Sequence, residues 1–190
     1  MAKLLAFAGS ARTASYNKQL IRVAVTGARL AGAEVMIVDL RDLPMPLYDG
    51  DLEAKDGLPA NVKAFKNLLK ANQGLLISSP EYNSSLPALL KNAIDWASRA
   101  EPGEAPLACF AGKVAGLMSA SPGALGGLRC LVHLRAILGN IKVLVVPEQV
   151  AVAKANEAFK PDGSLIDAKQ QAAVSELGAV VARLTAKIHG

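Results

Sequence analysis

The amino-acid sequence predicts an α/β protein in which helices cover both faces of a five-stranded parallel sheet. Strand-sized apolar runs alternate with longer segments of helical periodicity along the 190 residues. Polar, turn-forming loops follow the apolar runs, and hydrophobic residues make up 52% of the chain, which is typical of a globular core. Because crossovers between parallel strands are right-handed, a doubly wound sheet of order 2-1-3-4-5 is favoured, with one domain spanning residues 1–190.

The five predicted strands are short apolar runs that end at polar residues. The third begins with the continuous apolar run Leu75–Ile77, as expected of a strand buried on both faces. The second follows Gly32, a residue suited to ending the preceding helix. The predicted strands are Leu4–Ala8, Glu34–Leu40, Leu75–Ser79, Val114–Met118 and Val143–Val146. Their order in the sheet cannot be read from these runs alone.

The predicted helices show apolar residues three and four positions apart. The first carries its apolar face between Leu20 and Ala28, and Ser15 stands where a capping residue is expected. The stretches Leu43–Pro59 and Ala100–Gly112 are predicted to be irregular, and the first is long enough to carry function. The other predicted helices are Ala60–Asn72, a helix that starts near Pro87 and has its apolar side between Leu89 and Ala97, Leu128–Leu138 and Ala168–Ile188.

The segment Leu128–Leu138 is apolar around most of its circumference. One face of a domain cannot bury such a helix completely, so the segment indicates a subunit interface.

Composition argues against several classes of partner. The formal net charge is +5, but the basic residues are scattered and aromatic residues are only 4%, so we expect no nucleic-acid partner. A small anionic ligand explains the positive charge equally well.

No apolar run approaches the roughly 20 residues that span a bilayer. The chain enters its first strand almost at once, so we expect a cytoplasmic protein without a signal peptide or a membrane partner.

The cysteines and histidines predict neither a disulfide framework nor a metal site. Cys109 and Cys130 lack the spacing of metal ligands and are expected to be reduced thiols. His133 and His189 stand alone in the sequence, without the clustering that a zinc site requires.

The loop after the first strand, Gly9–Asn17, is the first candidate site. Ser10, Arg12, Ser15 and Asn17 offer hydroxyl, guanidinium and amide donors next to a helix N-terminus, where phosphates bind. The dinucleotide fingerprint and the Walker lysine are both absent, so the loop indicates a terminal phosphate monoester. An ordinary loop capped by Ser15, with Arg12 in solvent, fits these residues equally well.

The loop after the third strand, Ser79–Ser85, is the second candidate. Its backbone could hydrogen-bond the polar edge of a flat heterocycle at a helix N-terminus, while Tyr82 offers a ring for packing. Taken alone, this loop better fits a plain β-turn, with Glu81 solvated and Tyr82 covering the core.

The third candidate loop follows the fourth strand. Three glycines and a proline within Ser119–Gly127 allow a backbone to approach a ligand closely. A flexible turn before the next helix is the simpler interpretation. A functional role is favoured because all three loops are expected at the carboxyl edge of the sheet, where open α/β sheets bind ligands.

Together, these loops resemble the NADPH-dependent FMN reductase family, which includes bacterial quinone, chromate and azo-dye reductases. The resemblance extends from Leu4 to about Val146, and its middle segment is the most specific. One departure is Ala88, where many relatives have glycine. The matching segments are Gly9–Arg12 with Ser15 and Asn17, Pro80–Ser84 continuing through Leu90–Trp96, and Ser119–Gly123 with Gly126–Gly127 and Leu134–Arg135.

The resemblance implies a flavodoxin-like fold that binds FMN, and a homodimer or homotetramer. Its first loop would hold the FMN phosphate, and the other two would line the isoalloxazine ring and ribityl chain. The residues implied to bind FMN are Ser10, Arg12, Ser15, Tyr16, Asn17, Pro80, Glu81, Tyr82, Asn83, Ser84, Ser119, Ser121, Pro122 and Gly123.

The resemblance further implies a two-electron, ping-pong NAD(P)H oxidoreductase. NADPH or NADH would pass a hydride to the bound FMN, and a small acceptor such as a quinone, chromate, azo compound or free flavin would then be reduced. No side chain is expected to be essential for this chemistry, because the flavin carries it. The sequence specifies neither the acceptor nor the preferred donor.

Two other functions fit parts of the pattern. A flavodoxin-type electron carrier docking on protein partners would share the fold and FMN, although the basic charge and Arg12 in the first loop argue against it. Redox titration separates the two, because a carrier takes up single electrons. A nucleic-acid-binding module is motivated by charge alone and predicts colourless protein with steeply salt-dependent binding.

Overall fold

Five parallel strands form one sheet in the computed structural model, which describes all residues from Met1 to Gly190. The strand order is β2-β1-β3-β4-β5 and every neighbouring pair is parallel, which confirms the predicted flavodoxin-like arrangement. The strands are β1 (Lys3–Ala8), β2 (Glu34–Asp39), β3 (Gly74–Ser78), β4 (Val114–Ala120) and β5 (Leu144–Val152). Their carboxyl ends therefore meet at one edge of the sheet.

Helices cover both faces of the sheet. The helices are α1 (Tyr16–Leu30), α2 (Gly50–Asp56), α3 (Ala60–Lys70), α4 (Ala88–Ala97), α5 (Leu128–Asn140) and α6 (Ala168–His189). Along β1, Leu4 and Ala6 pack beneath α1 and α6, whereas Leu5 and Phe7 pack beneath α3, α4 and α5, as the alternation of side chains along a strand requires. None of the helices combines the length and the hydrophobicity that a membrane span needs.

One helix lies where an irregular stretch was predicted. Within Leu43–Pro59, α2 forms behind Asp49, whose carboxylate accepts a hydrogen bond from the Asp51 N–H. None of the seven residues of α2 is buried, so the segment has no apolar periodicity for sequence analysis to detect. The second strand also ends one residue earlier than predicted, because Leu40–Asp42 forms a 3₁₀ turn.

The fifth strand is longer than predicted, since it continues past Val146 to Val152. Its pairing with β4 shifts between Ala115 and Leu117. Arg135 of α5 holds this irregularity, because its guanidinium donates to the Val146 carbonyl at 2.8 Å. The predicted strand stops at Val146 because Pro147 follows it, and a proline cannot donate a hydrogen bond to a neighbouring strand.

Candidate functional site

The loop between β1 and α1 carries polar groups that have no partner within the protein. Ser15 occupies the N-cap position of α1, as predicted, but its side chain makes no capping hydrogen bond even though the residue is only 4% exposed. The Arg12 side chain is exposed and forms no ion pair. The backbone N–H groups of residues 13–17 also donate no hydrogen bond. These donors lie at the positive end of the α1 dipole, an arrangement that is suited to an anion.

Asn17 has a different position from its loop neighbours, because its side chain is buried and bonded. Its Nδ2 donates to the Ala120 carbonyl at 2.8 Å, and its Oδ1 accepts from the Ser78 hydroxyl at 2.8 Å and from the Ala120 N–H at 3.0 Å. The side chain thus joins the start of α1 to the ends of β3 and β4. The amide predicted to hold a ligand is therefore mainly a link between the three loops.

Tyr16 lies at the border of the same site. Its ring stacks on Phe159, with centroids 6.1 Å apart and an interplanar angle of 6°. Phe159 belongs to the segment between β5 and α6, so this segment packs against the first residue of α1.

The loop after β3 forms a tight turn with a strained tip. Tyr82 and Ser85 exchange two backbone hydrogen bonds, of 3.0 and 3.1 Å, while Asn83 and Ser84 between them have φ values of +50° and +66°. Such positive values occur in type I′ turns and are otherwise rare for residues with a side chain. The N–H groups of Asn83 and Ser84 donate no bond within the protein, so they are available to a ligand.

The side chain of Glu81 fixes this turn against α5. Its carboxylate accepts from Arg129 at 2.6 Å and from the Cys130 N–H at 3.1 Å, and only 8% of the side chain is exposed. Burial acting alone would raise the pKa of Glu81, but the hydrogen bonds from Arg129 and Cys130 outweigh it and lower the pKa. The interpretation of Glu81 as a solvated turn residue is therefore wrong.

The loop after β4 approaches the other two through its backbone. Gly127 has a φ of +89°, and a Cβ there would lie 1.9 Å from the Ser119 hydroxyl oxygen. Only glycine fits this close approach. Ser119 is thus covered by the loop and fully buried, whereas Ser121, Pro122 and Gly123 reach the surface of the site.

Two adjoining cavities bring the three loops together and share Glu81 and Ser121. The smaller, of about 60 Å³, lies at the β1–α1 loop, and the larger, of about 320 Å³, lies between the Tyr82–Ser85 turn and the glycine-rich loop. Of the fourteen predicted binding residues, only Ser119 lines neither cavity. The smaller is lined by Ser10, Arg12, Ser15, Tyr16, Asn17, Pro80, Glu81, Tyr82, Ala120, Ser121 and Pro122. The larger is lined by Glu81, Asn83, Ser84, Ser121, Gly123, Ala124, Leu125, Gly126, Gly127 and Arg129.

Comparison with known proteins identifies the family to which this arrangement belongs. A family model described as NADPH-dependent FMN reductase matches residues 2–157. The chain belongs to the NADPH-dependent FMN reductase family. The resemblance inferred from the three loops is thereby confirmed.

Individual relatives of this family cover nearly the whole chain. The chain is 38% identical over 176 residues to an NAD(P)H-dependent FMN reductase of Pseudomonas aeruginosa, covering 92% of this chain and 90% of that protein. It is 37% identical over 162 residues to the quinone reductase of Escherichia coli K12, covering 84% of this chain and 82% of that protein.

A solved structure agrees with the fold as well. The flavoenzyme NAD(P)H:(acceptor) oxidoreductase FerB of Paracoccus denitrificans superposes with a TM-score of 0.82, at 27% identity and 99% coverage of both chains. This likeness extends beyond residue 157, where the family model ends, and therefore includes α6.

Some lining residues of this family member were not predicted from its sequence. Ala120 lines the smaller cavity, but an alanine at the end of a strand carries no sequence signal for a site. Arg129 was not among the predicted residues, and only the pairing with Glu81 places it beside the larger cavity. No sequence signal distinguishes Arg129 from other exposed arginines.

Proposed function

We propose that this protein is an FMN-dependent oxidoreductase that passes electrons from NADPH or NADH to a small acceptor, foremost a quinone. The family and the names of its relatives support this function. The observation that carries it for this chain is the set of unpaired donors in the β1–α1 loop. Chromate, azo compounds and free flavin are further acceptors that the same open site would admit.

The residues present fit FMN. A phosphate monoester needs several donors at one point, and Ser15, Arg12 and the N–H groups of residues 13–17 are all without partners. Ser15 is 4% exposed as a residue, and its hydroxyl makes no capping hydrogen bond, so this group is free to bond a ligand. The larger cavity adjoins this loop and lies within the size range of small-molecule sites.

The chain holds the phosphate by charge and by position. The Arg12 guanidinium supplies a positive charge that no carboxylate of the protein neutralises. The first turn of α1 adds aligned N–H dipoles, which favour a negative group at its N-terminus. The side chain of Asn17 keeps the loop attached to β3 and β4, so the donors are positioned before any ligand arrives.

The second and third loops provide the walls of the larger cavity. When bound, FMN supplies the two-electron chemistry itself. The unpaired N–H groups of Asn83 and Ser84 are suited to stabilise negative charge at the edge of a ring in this cavity. Tyr82, which is 52% exposed, offers its ring at the open side. Glu81 acts as a positioning residue, because its carboxylate is bonded to Arg129 rather than to the cavity.

We also propose that the protein is a homodimer or homotetramer that uses α5. Leu128 and Val132 lie one helical turn apart and are 42% and 58% exposed, and such apolar exposure favours association. Light scattering coupled to gel filtration measures the subunit number. A shift towards the monomer in Val132→Lys is expected, and a wild-type monomer would contradict this proposal.

The proposed compartment is the cytoplasm. Cys109 and Cys130 are buried and unpaired, which suits a reducing compartment. Fractionation of cells that produce the protein tests this, since recovery outside the cytoplasm would contradict it.

The experiment that tests the function is rapid anaerobic mixing of the purified, FMN-loaded protein with NADPH or NADH. Loss of the bound-flavin absorbance, followed by its return when a quinone is added, is expected. Absence of bleaching with both donors would contradict the proposed activity. A protein that never takes up FMN would contradict the cofactor as well.

A further inference from the structure

A second polar cavity adjoins the phosphate loop and shares Ser15 with it. Its volume is about 300 Å³ and it has no hydrophobic lining residue. The first loop and α1 form one wall, and the end of β2 forms the other. The lining residues are Thr13, Ser15, Lys18, Gln19, Arg22, Asp39 and Arg41.

The positive side chains of this cavity come from elements that are distant in sequence. Lys18 and Arg22 follow Ser15 by three and seven positions, so they share one face of α1. Arg41 lies in the 3₁₀ turn after β2. Because β2 is the neighbour of β1 in the sheet, its carboxyl end brings Arg41 back to the start of α1.

The charges of the cavity favour an anion. Three cations face a single carboxylate, and Asp39 is already bonded to Lys18 at 2.5 Å and to the Arg41 N–H at 3.0 Å. Burial alone would raise the pKa of Asp39, but the hydrogen bonds from Lys18 and Arg41 outweigh it and lower the pKa. Arg22 makes no ion pair, so its charge remains uncompensated.

The position of Arg41 links this cavity to the first loop. Its Nη1 lies 2.5 Å from the Thr13 hydroxyl oxygen, which accepts the hydrogen bond. Arginine presents a planar set of donors that matches the oxygens of a phosphate. Arg22 has no ion-pair partner, so a second phosphate could bind to it beside the first phosphate without breaking an ion pair of the protein.

We propose that this cavity is a second phosphate subsite, which binds the 2′-phosphate of NADPH. The assignment rests on the proposed function, which brings a nucleotide donor to this edge of the sheet. NADPH differs from NADH by one phosphate monoester, and a wholly polar cavity with uncompensated cations matches that group. A flat adenine or nicotinamide ring would find no hydrophobic side chain to pack against here.

The test compares Arg22→Gln with Arg22→Lys, which retains the charge, and with Lys169→Gln, which removes a charge from the exposed start of α6. Calorimetry on the FMN-loaded protein measures the affinity for 2′,5′-ADP and for 5′-AMP, which differ only by the 2′-phosphate. Steady-state rates give kcat/KM for NADPH and NADH.

Loss of one charge-assisted contact is expected to weaken 2′,5′-ADP binding about tenfold in Arg22→Gln. The ratio of kcat/KM for NADPH to that for NADH falls by a similar factor, and Arg22→Lys recovers part of it. Arg41→Gln on the opposite wall changes the ratio in the same direction. Lys169→Gln leaves both readings as in the wild type.

Several results would overturn the assignment. One such result is that the wild type binds 2′,5′-ADP with the same affinity as 5′-AMP or with a lower one. A second is that Arg22→Gln lowers kcat/KM for NADPH and NADH equally, which would mean that Arg22 contacts the pyrophosphate that both donors share. A third is that Arg22→Gln lowers the affinity for FMN, which would mean that the cavity is part of the flavin site. A wild type that oxidises neither donor would contradict the proposed function instead, because 2′,5′-ADP binding reports on the cavity separately.

Discussion

The loops after β1 and β3 lie side by side at one edge of the sheet, yet they use their polar groups in opposite ways. In the first, Arg12 and Ser15 have no partner within the protein. In the second, Glu81 is bonded to α5, and Ser85 contacts His133 at 2.9 Å. The first loop thus leaves Arg12 and Ser15 free for the proposed ligand, whereas the second uses Glu81 and Ser85 to fix its own position.

The difference separates residues that bind from residues that position. Around the β1–α1 loop, side chains and backbone N–H groups are both available. Around the β3–α4 loop, the backbone N–H groups of Asn83 and Ser84 are available, whereas the side chains of Glu81 and Ser85 are bonded to α5. Substitutions in the first loop should therefore change affinity without changing stability, and substitutions in the second should change stability first.

The largest expected effect is at Asn17, the side chain that joins the first loop to the ends of β3 and β4. Asn17→Ala removes three buried hydrogen bonds and leaves groups of Ser78 and Ala120 without partners. The free energy of unfolding should fall by roughly 3 kcal/mol, as measured by urea denaturation of the apoprotein. Asn61→Ala, which removes one exposed hydrogen bond to Pro44, is the matched control. A loss at Asn17 no greater than the control would contradict the joining role.

Next in size are substitutions of the unpaired donors. Arg12→Gln and Ser15→Ala should each weaken FMN binding by roughly tenfold to a hundredfold, because a hydrogen bond to a charged group contributes about 1.5–3 kcal/mol. Quenching of flavin fluorescence measures this affinity. In the apoprotein the same variants should change the free energy of unfolding by less than about 0.5 kcal/mol. Destabilisation of Ser15→Ala by about 1 kcal/mol, the usual effect of removing a cap, would show that Ser15 serves the helix instead.

The smallest expected effect is at Glu81, whose partner Arg129 is half exposed. Glu81→Gln should lower the free energy of unfolding by about 1 kcal/mol near neutral pH. Because the folded-state pKa of Glu81 is lowered, its contribution is complete above the pKa of an unfolded glutamate and disappears as the pH falls through the folded value. Urea denaturation between neutral and acidic pH tests this. A difference between wild type and variant that persists at the lowest pH would contradict the ion-pair explanation.

The sequence predicts the fold well because apolar period and turn chemistry are local properties. Strand β3 is buried throughout and its apolar run is unbroken, so its assignment needed no tertiary information. In contrast, α2 fully buries no residue and is stabilised by its Asp49 cap, by the partly buried Leu52 and by the ion pair of Glu53 with Arg99. Such a helix leaves no periodic signal.

The sequence identifies the three loops of the candidate site, but it does not show the role of each residue in them. Small, polar residues after a strand identify a ligand-binding edge, and thirteen of the fourteen predicted residues line the two cavities. The separate roles of Ser119 and Ser121 depend on how closely Gly127 approaches β4. The roles of Asn17 and Arg22 depend on strands that are remote in sequence, so only the fold reveals them.

The most direct measurement compares the affinities of FMN and riboflavin, which lacks the phosphate. The wild type should bind FMN at least about a hundredfold more tightly, because several charge-assisted contacts act on the phosphate. Arg12→Gln with Ser15→Ala should lose most of that preference while binding riboflavin as the wild type does. Equal affinity of the wild type for the two flavins would mean that the donors at residues 12–17 do not hold a phosphate.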